Sequence, residues 1–477
     1  MAEIKRTLNL FDTIMLVSGS MIGSGIFIVT ADMVRVLGSP LLVLACWIIS
    51  GLISLFAALS YGELAAMMPE GGGQFIYIRR AFGKLSAFVY GWTVFMVIQT
   101  GVIAAVAVAF AKFTGVFIPF FDPSHLLLGI GNFHVNAAQI LAVASIVFLT
   151  ALNTLGINNG KIIQRVFTST KLLALAALIG VGLVYGYSRG HWQSNMALPF
   201  SNLADVANTN PSWSAILAAM GVALIGSLFS SDAWNNVTFI AGEVKNPRRN
   251  IPLGLLIGVL IVTILYILAN VAYFMLLPAW GDAAAVTVEG RGIAFAEQDR
   301  VGSAALFPVF GTLSSSVMAL LIIISTFGCN NGLILQGARL FYSMAKEGLF
   351  FRSAAQLNKN EVPGKALWMQ AAWASVLCLS GSYGDLLDYC TFASLIFYIV
   401  TIAGLFRLRY TEPLTERPYR AAGYPYIPAL YIIIATAICI DLLIFKTRNA
   451  GLGLLIMALG IPIYYLFHPK NADQTPT

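Results

Sequence analysis

The sequence predicts an all-α integral membrane protein of about twelve spanning helices, ten of them forming two inverted copies of five. Three observations lead there. Of the 477 residues 58% are hydrophobic and only 10% charged, with a mean hydropathy of +0.81. An ordinary soluble domain carries roughly 25% charged residues. Apolar runs follow one another along the chain, each near the roughly 20 residues that a spanning helix needs. Two of those runs, the first and the sixth, are interrupted at mid-length by glycine, serine and an acid.

Taken in order, the spans are expected at 10–37, 40–68, 84–118, 136–155, 162–187, 213–244, 252–278, 303–346, 365–380, 385–408, 425–446 and 450–468. The polar connections are short except near 188–212 and 279–302, so 1–477 reads as a single transmembrane domain. Its first repeat covers about 10–187, its second about 213–408, and the last two helices about 425–468. Of the 28 Lys and Arg residues, 20 fall on the side of the N-terminus and 7 on the other, with Lys171 left within a span. That bias puts both termini in the cytoplasm of a multi-pass plasma-membrane protein, in a bacterium the cytoplasmic membrane. It also accounts for the net charge of +7 without an acidic partner. So few charges build no dense basic face for nucleic acid. Lys5 and Arg6 before the first run could mimic a signal peptide, but the run is too long and lacks a small-residue cleavage site. Cys46, Cys329, Cys378, Cys390 and Cys439 all sit in apolar runs without a C-x-x-C pair, against a disulfide scaffold or a zinc site.

The first interruption is Gly19-Ser20-Met21-Ile22-Gly23-Ser24-Gly25-Ile26-Phe27. Each glycine costs a helix about 1 kcal/mol relative to alanine. A broken backbone survives in hydrocarbon only where it is buried in protein or lines a cavity. The second is Gly226-Ser227-Leu228-Phe229-Ser230-Ser231-Asp232-Ala233-Trp234-Asn235-Asn236, five spans later. An odd offset inverts the second copy, so both breaks meet at one depth. Gly19-x-x-x-Gly23 alone also fits a close helix–helix contact. A half-helix start offers N–H groups and a positive dipole end to a carboxylate, and a half-helix end offers carbonyls to an ammonium. A zwitterion with both groups on one carbon, an α-amino acid, matches that pair.

These residues resemble a known family. The stretch from Gly19 to Phe27 is similar to the first-helix motif of the amino acid–polyamine–organocation (APC) superfamily. Gly242-Glu-Val-Lys-Asn-Pro-Arg-Arg-Asn-Ile-Pro252 and Gly337-Ala-Arg-Leu-Phe-Tyr-Ser-Met-Ala-Lys-Glu-Gly348 resemble its signatures after the sixth and eighth helices. Thr170-Lys-Leu-Leu-Ala-Leu-Ala176 is similar to the L-type amino acid transporter branch, and the likeness runs from about residue 8 to about 468. The resemblance implies the LeuT-type fold and alternating access, as exchange or proton-linked uptake. It further implies that the amides of Ser24, Gly25 and Ile26 hold the substrate carboxylate. The carbonyls of Met21, Ile22, Phe229 and Ser230 would hold the ammonium, with the Phe229 ring as a gate. Eukaryotic L-type relatives tether a heavy subunit through a cysteine between the third and fourth spans. Residues 113–135 contain none, so no covalent heavy subunit is expected.

Two charges lie within spans. Lys171 is about ten residues into the fifth, too deep to snorkel easily, so it should face a cavity or a set of carbonyls. The resemblance puts it where relatives bind sodium between the first and eighth helices, with Ser325 and Thr326 as partners, which makes sodium coupling unnecessary. Asp232 either attracts the ammonium or a cationic side chain, or caps the second half-helix. Glu63 and Glu243, near helix ends, read as structural, and Asp385, Asp388 and Asp441 carry no specific signal. An enzyme is disfavoured: Gly186-Tyr-Ser-Arg-Gly190 matches G-x-S-x-G but closes a helix, whereas a hydrolase elbow follows a strand. No H-E-x-x-H, P-loop or paired carboxylate accompanies it, so neither metal nor cofactor is expected. A channel would show a filter loop or rings of polar residues, which are missing. The expected activity is sodium-independent exchange or proton-linked uptake of amino acids. A carrier specialised for cationic amino acids or amines is the alternative.

Overall fold

Helices account for nearly all the regular structure in the computed structural model, which describes residues 6–130, 133–199, 212–380 and 383–467. Lys5, Lys470 and residues 200–211 lie outside the described residues, as do the side chains of Lys161, Asp385 and Asp388. Among the described residues ten helices are long and apolar enough to cross a membrane, eleven with one bent pair counted as a span. At the expected ninth span lies a shorter helix of 17 residues, Gly364–Ser380, which is not among those counted.

The first span is that bent pair. Leu10–Met21 starts on a capping box in which Asn9 accepts from the Asp12 amide and Asp12 accepts from the Asn9 amide. It stops at Ile22, whose backbone is extended, and Gly25–Leu37 resumes at an angle of 41°. The second and third spans, Pro40–Met67 and Lys84–Thr114, are continuous, the third through a π-turn at Val94–Ile98. Ala137–Thr154 opens on a second capping box, Asn136 with Gln139. In the sixth span the α-helix Trp213–Ser230 gives way to a tight 3-10 stretch, Trp234–Glu243, across Ala233 in a left-handed conformation. The last spans are Tyr383–Thr411, Tyr426–Phe445 and Thr447–Phe467.

Three expectations need correction. The seventh span is Pro247–Leu276 and starts before residue 252, because Pro252 sits in its second turn and the helix runs through it. The eighth span does not reach back to residue 303. Val301–Phe310 is a separate helix, ended by Gly311 at φ 57°, and the span proper is Leu313–Lys346. Its apolar pattern misled because Val301, Ala304, Ala305 and Leu306 are buried in the protein without spanning anything. Nor is the fold purely helical. The third-to-fourth connection holds an antiparallel hairpin, Leu126–Ile130 with Phe133–Asn136, and a nine-residue helix, Gln74–Phe82, lies between the second and third spans.

Packing follows the repeat. The first span packs on the seventh as the sixth packs on the second, and the eighth on the fifth as the third on the tenth. Moving every span by five turns each contact into its partner, while second–seventh, third–eighth and fourth–ninth map onto themselves. Leu173 and Val184 on the fifth span are each 72% exposed and Leu466 is 79% exposed, an apolar outer surface that suits lipid and not water. Buried at the centre are the two breaks.

Candidate substrate site at the paired helix breaks

Gly19 and Gly25 are small because their neighbours are close. A Cβ on Gly19 would lie 2.1 Å from Nε2 of Gln164, and one on Gly25 2.1 Å from the Ser230 hydroxyl. Gly23 has room, its nearest neighbour being Cys329 Sγ at 3.6 Å. Gly19 is thus a helix–helix contact and Gly25 the point where the two breaks touch. Tyr266 of the seventh span binds them together, with its hydroxyl 3.1 Å from the Met21 carbonyl and 3.1 Å from that of Ser230. A tyrosine buried in an apolar helix needs such a partner. The expected ammonium acceptors Met21 and Ser230 therefore each already have a protein donor, although a carbonyl has two lone pairs and can take another.

Lys171 is 2% exposed and donates to the carbonyls of Gly19 at 2.5 Å and Ile22 at 2.8 Å. Ser325 donates to Ile22 and Gly23 at 3.2 and 3.1 Å, so fifth and eighth spans meet on the unwound backbone. Thr326 does not join them. One position on, it faces away and spends its hydroxyl on Ile322 and Ile323 of its own helix. Cys329 and Gln336, which sequence reading missed, reach Ser20: the thiol meets its carbonyl at 3.0 Å, and the amide meets its hydroxyl at 3.0 Å. Residues 325, 329, 332 and 336 form one helical stripe, and that spacing was the available signal.

In the sixth span Phe229 and Ser230 end the helix and Asp232 follows, its amide on the Phe229 carbonyl at 3.2 Å. The N-cap of the 3-10 stretch is Ala233, with no side-chain cap, so Asp232 does not cap it. Its carboxylate instead accepts from the Tyr398 hydroxyl, which also lies 3.2 Å from Asn235 Oδ1. Asp232 opens on a cavity of about 20 Å³ that also holds Gln74, Tyr90, Gln99, Asn235 and Asn236. Gln74 is the hub of this polar group, accepting from Tyr90 at 3.1 Å and Asn235 at 2.9 Å, and donating to Thr401 at 2.9 Å. The room suffices for a water or two and not for an amino acid.

Both faces are tied shut. On the face opposite the N-terminus, Arg35 meets Asp299 at 2.7 Å. On the N-terminal face Arg165 meets Asp12 at 2.5 Å and Arg339 meets Glu243 at 2.9 Å, while Leu8 pairs with Val244. Glu63 accepts from Arg409 and from the Ala421 amide, anchoring the tenth-to-eleventh connection to the second span. Glu63 and Glu243 do hold helix ends together. A vestibule of about 740 Å³ opens on the N-terminal face, lined by Arg6, Glu70, Glu243, Arg339 and Lys346. Phe239 lines both this vestibule and the small cavity beside Asp232.

Comparison with known proteins agrees with this architecture. Over 468 residues the chain is 28% identical to the mouse b(0,+)-type amino acid transporter 1, covering 98% of this chain and 88% of that one. It is 27% identical to the mouse Asc-type amino acid transporter 1, over 97% of this chain and 81% of the relative. With the human cystine/glutamate transporter it shares 28% identity over 98% and 86%. A family model described as amino acid permease matches residues 8–467. Nearly the whole chain thus belongs to the amino acid permease family of the APC superfamily, a multi-pass membrane transporter of L-type character and not an enzyme.

Proposed function

We propose that this permease is a sodium-independent amino acid carrier working by alternating access, as an exchanger or with proton linkage. The substrate carboxylate meets the amides of Ser24, Gly25 and Ile26 at the start of Gly25–Leu37, where the helix dipole end is positive. The ammonium takes lone pairs of the Met21, Phe229 and Ser230 carbonyls, and that of Ile22 when Ser325 releases it. Phe229 closes over it. The basic face is cytoplasmic in this reading, and the chain works in a bacterial cytoplasmic membrane without a covalent heavy subunit.

One observation carries the proposal: Lys171 holds the carbonyls of Gly19 and Ile22 beside Ser325. A fixed ammonium supplies there the charge that a bound sodium ion would otherwise bring. Substrate binding then requires the breaks to part, since the cavity beside Asp232 is smaller than an amino acid. The outer tie at Arg35 and the inner ties at Asp12 and Glu243 open in turn. Asp232 on a polar cavity favours a second reading, a carrier specialised for cationic amino acids or amines.

Counterflow into proteoliposomes tests both. Labelled amino acid should accumulate against unlabelled amino acid inside, equally in sodium and in choline. A channel would only run down its gradient. Competition by the twenty amino acids then sorts neutral from cationic substrates.

A further inference from the structure

Between the outer connection and the start of the eighth span lies a cavity of about 130 Å³ that belongs to neither break. Arg291, Glu297, Arg300, Ser303, Ser314 and Phe307 are among the residues that line it. Three polar atoms of its lining residues are unmatched. The Arg300 Nε and the hydroxyls of Ser303 and Ser314 are buried and meet no hydrogen-bond partner among the described residues. Ser303 is 6% exposed and Ser314 1%. A helical serine or threonine commonly returns its hydroxyl to a carbonyl one turn back, as Ser230 and Thr326 do here. These two serines do not, and buried polar groups left unmatched are rare enough to need a cause.

The rest of Arg300 is held. One terminal nitrogen donates to Gln298 Oε1 at 2.6 Å, and the guanidinium lies over the Phe113 ring at 5.5 Å. Gln298 and Asp299, just before it, are consecutive non-glycine residues in the left-handed region, at φ 52° and 60°. Burial lowers the arginine below its ordinary pKa, with Glu297 and Asp122 opposing. An added negative charge would relieve that cost. A guanidinium edge and two hydroxyls form a donor set, and donors select an anion. Val288 and Phe307 supply an apolar wall. Glu297, 4.0 Å from Arg291, keeps the total charge that the site can accept low.

We propose that this cavity binds a small monovalent anion, a short carboxylate or a halide, on the face opposite the N-terminus. It is independent of the substrate site at the helix breaks.

The test uses the purified full-length chain with radiolabelled propionate or chloride in a gluconate background. One saturable site per chain is expected. Arg300→Gln should weaken it at least tenfold, and Ser303→Ala or Ser314→Ala several-fold, with amino acid counterflow unchanged. The two alanine variants remove only hydroxyls that bond to nothing described, and a melting midpoint within a few degrees of wild type verifies their fold. Propionate binding that chloride displaces identifies a general small-anion site, and propionate binding that chloride leaves alone identifies a carboxylate site. Wild-type affinity in all three variants would place the probe at the helix breaks and overturn the proposal. So would the absence of saturable binding for both probes.

Discussion

Replacing Lys171 with methionine keeps the length and removes the charge. Two bonds from the ammonium are lost, to Gly19 at 2.5 Å and Ile22 at 2.8 Å. Hydrogen bonds to a charged group contribute about 1.5–3 kcal/mol each, so the gross loss is roughly 3–6 kcal/mol. Keeping an ammonium away from water costs several kcal/mol, and methionine escapes that cost. Ser325 still serves Ile22, so Gly19 is the carbonyl left without its donor. The net change in stability should therefore fall within about 2 kcal/mol. Function should not follow stability, because the unwound segment loses the group that fixes it. Lys171→Met is expected to melt within a few degrees of wild type and to lose at least tenfold in counterflow rate. In the wild type, a sodium ion about 4 Å from the ammonium would be repelled by roughly 4 kcal/mol at an effective dielectric of 20. Uptake in choline should then equal uptake in sodium. Wild-type counterflow in Lys171→Met, or a steep sodium dependence of the parent, refutes this reasoning.

Further outcomes follow from single contacts. Gly25→Val should drive Ser230 away, since even a Cβ there lies 2.1 Å from its hydroxyl, costing about 1–3 kcal/mol in stability as well as substrate binding. Gly23→Ala has a 3.6 Å clearance and should fold normally, so its effect on binding reports the substrate face alone. Asp232→Asn should weaken a cationic substrate about tenfold, or roughly 1.4 kcal/mol, and alanine less; equal small changes for lysine and alanine would remove Asp232 from the pocket. Arg339→Met strands the buried Glu243 and should cost about 3–5 kcal/mol in a melting experiment, most of it recovered by adding Glu243→Gln. Phe239→Ala joins the vestibule to the cavity beside Asp232 and should make an engineered cysteine at Asn235 reactive from the N-terminal face.

Local chemistry alone determined much of this protein. The spans are readable because twenty apolar residues in a row have no other stable place, and the breaks because glycine and serine weaken a helix wherever it lies. Lys171 and Asp232 stood out for the same reason, as charges that hydrocarbon does not tolerate without a partner. What the sequence left open was direction. In a span surrounded by lipid the outer face is as apolar as the inner one, so the periodicity that orients a helix in water fades. Ser325 and Thr326 therefore looked equivalent, and only packing turned one toward Ile22 and the other onto its own helix. Tyr266, Gln74 and Phe239 were hidden in the same way, each an ordinary residue in its own segment. They acquire a role from distance along the chain: Tyr266 bridges residues 21 and 230, and Gln74 gathers Asn235 and Thr401. The tertiary structure also decided which glycine admits no side chain and which tolerates one, because that depends on what stands opposite: Gln164 for Gly19 and Ser230 for Gly25, both too close for a Cβ, and Cys329 at ordinary contact distance for Gly23.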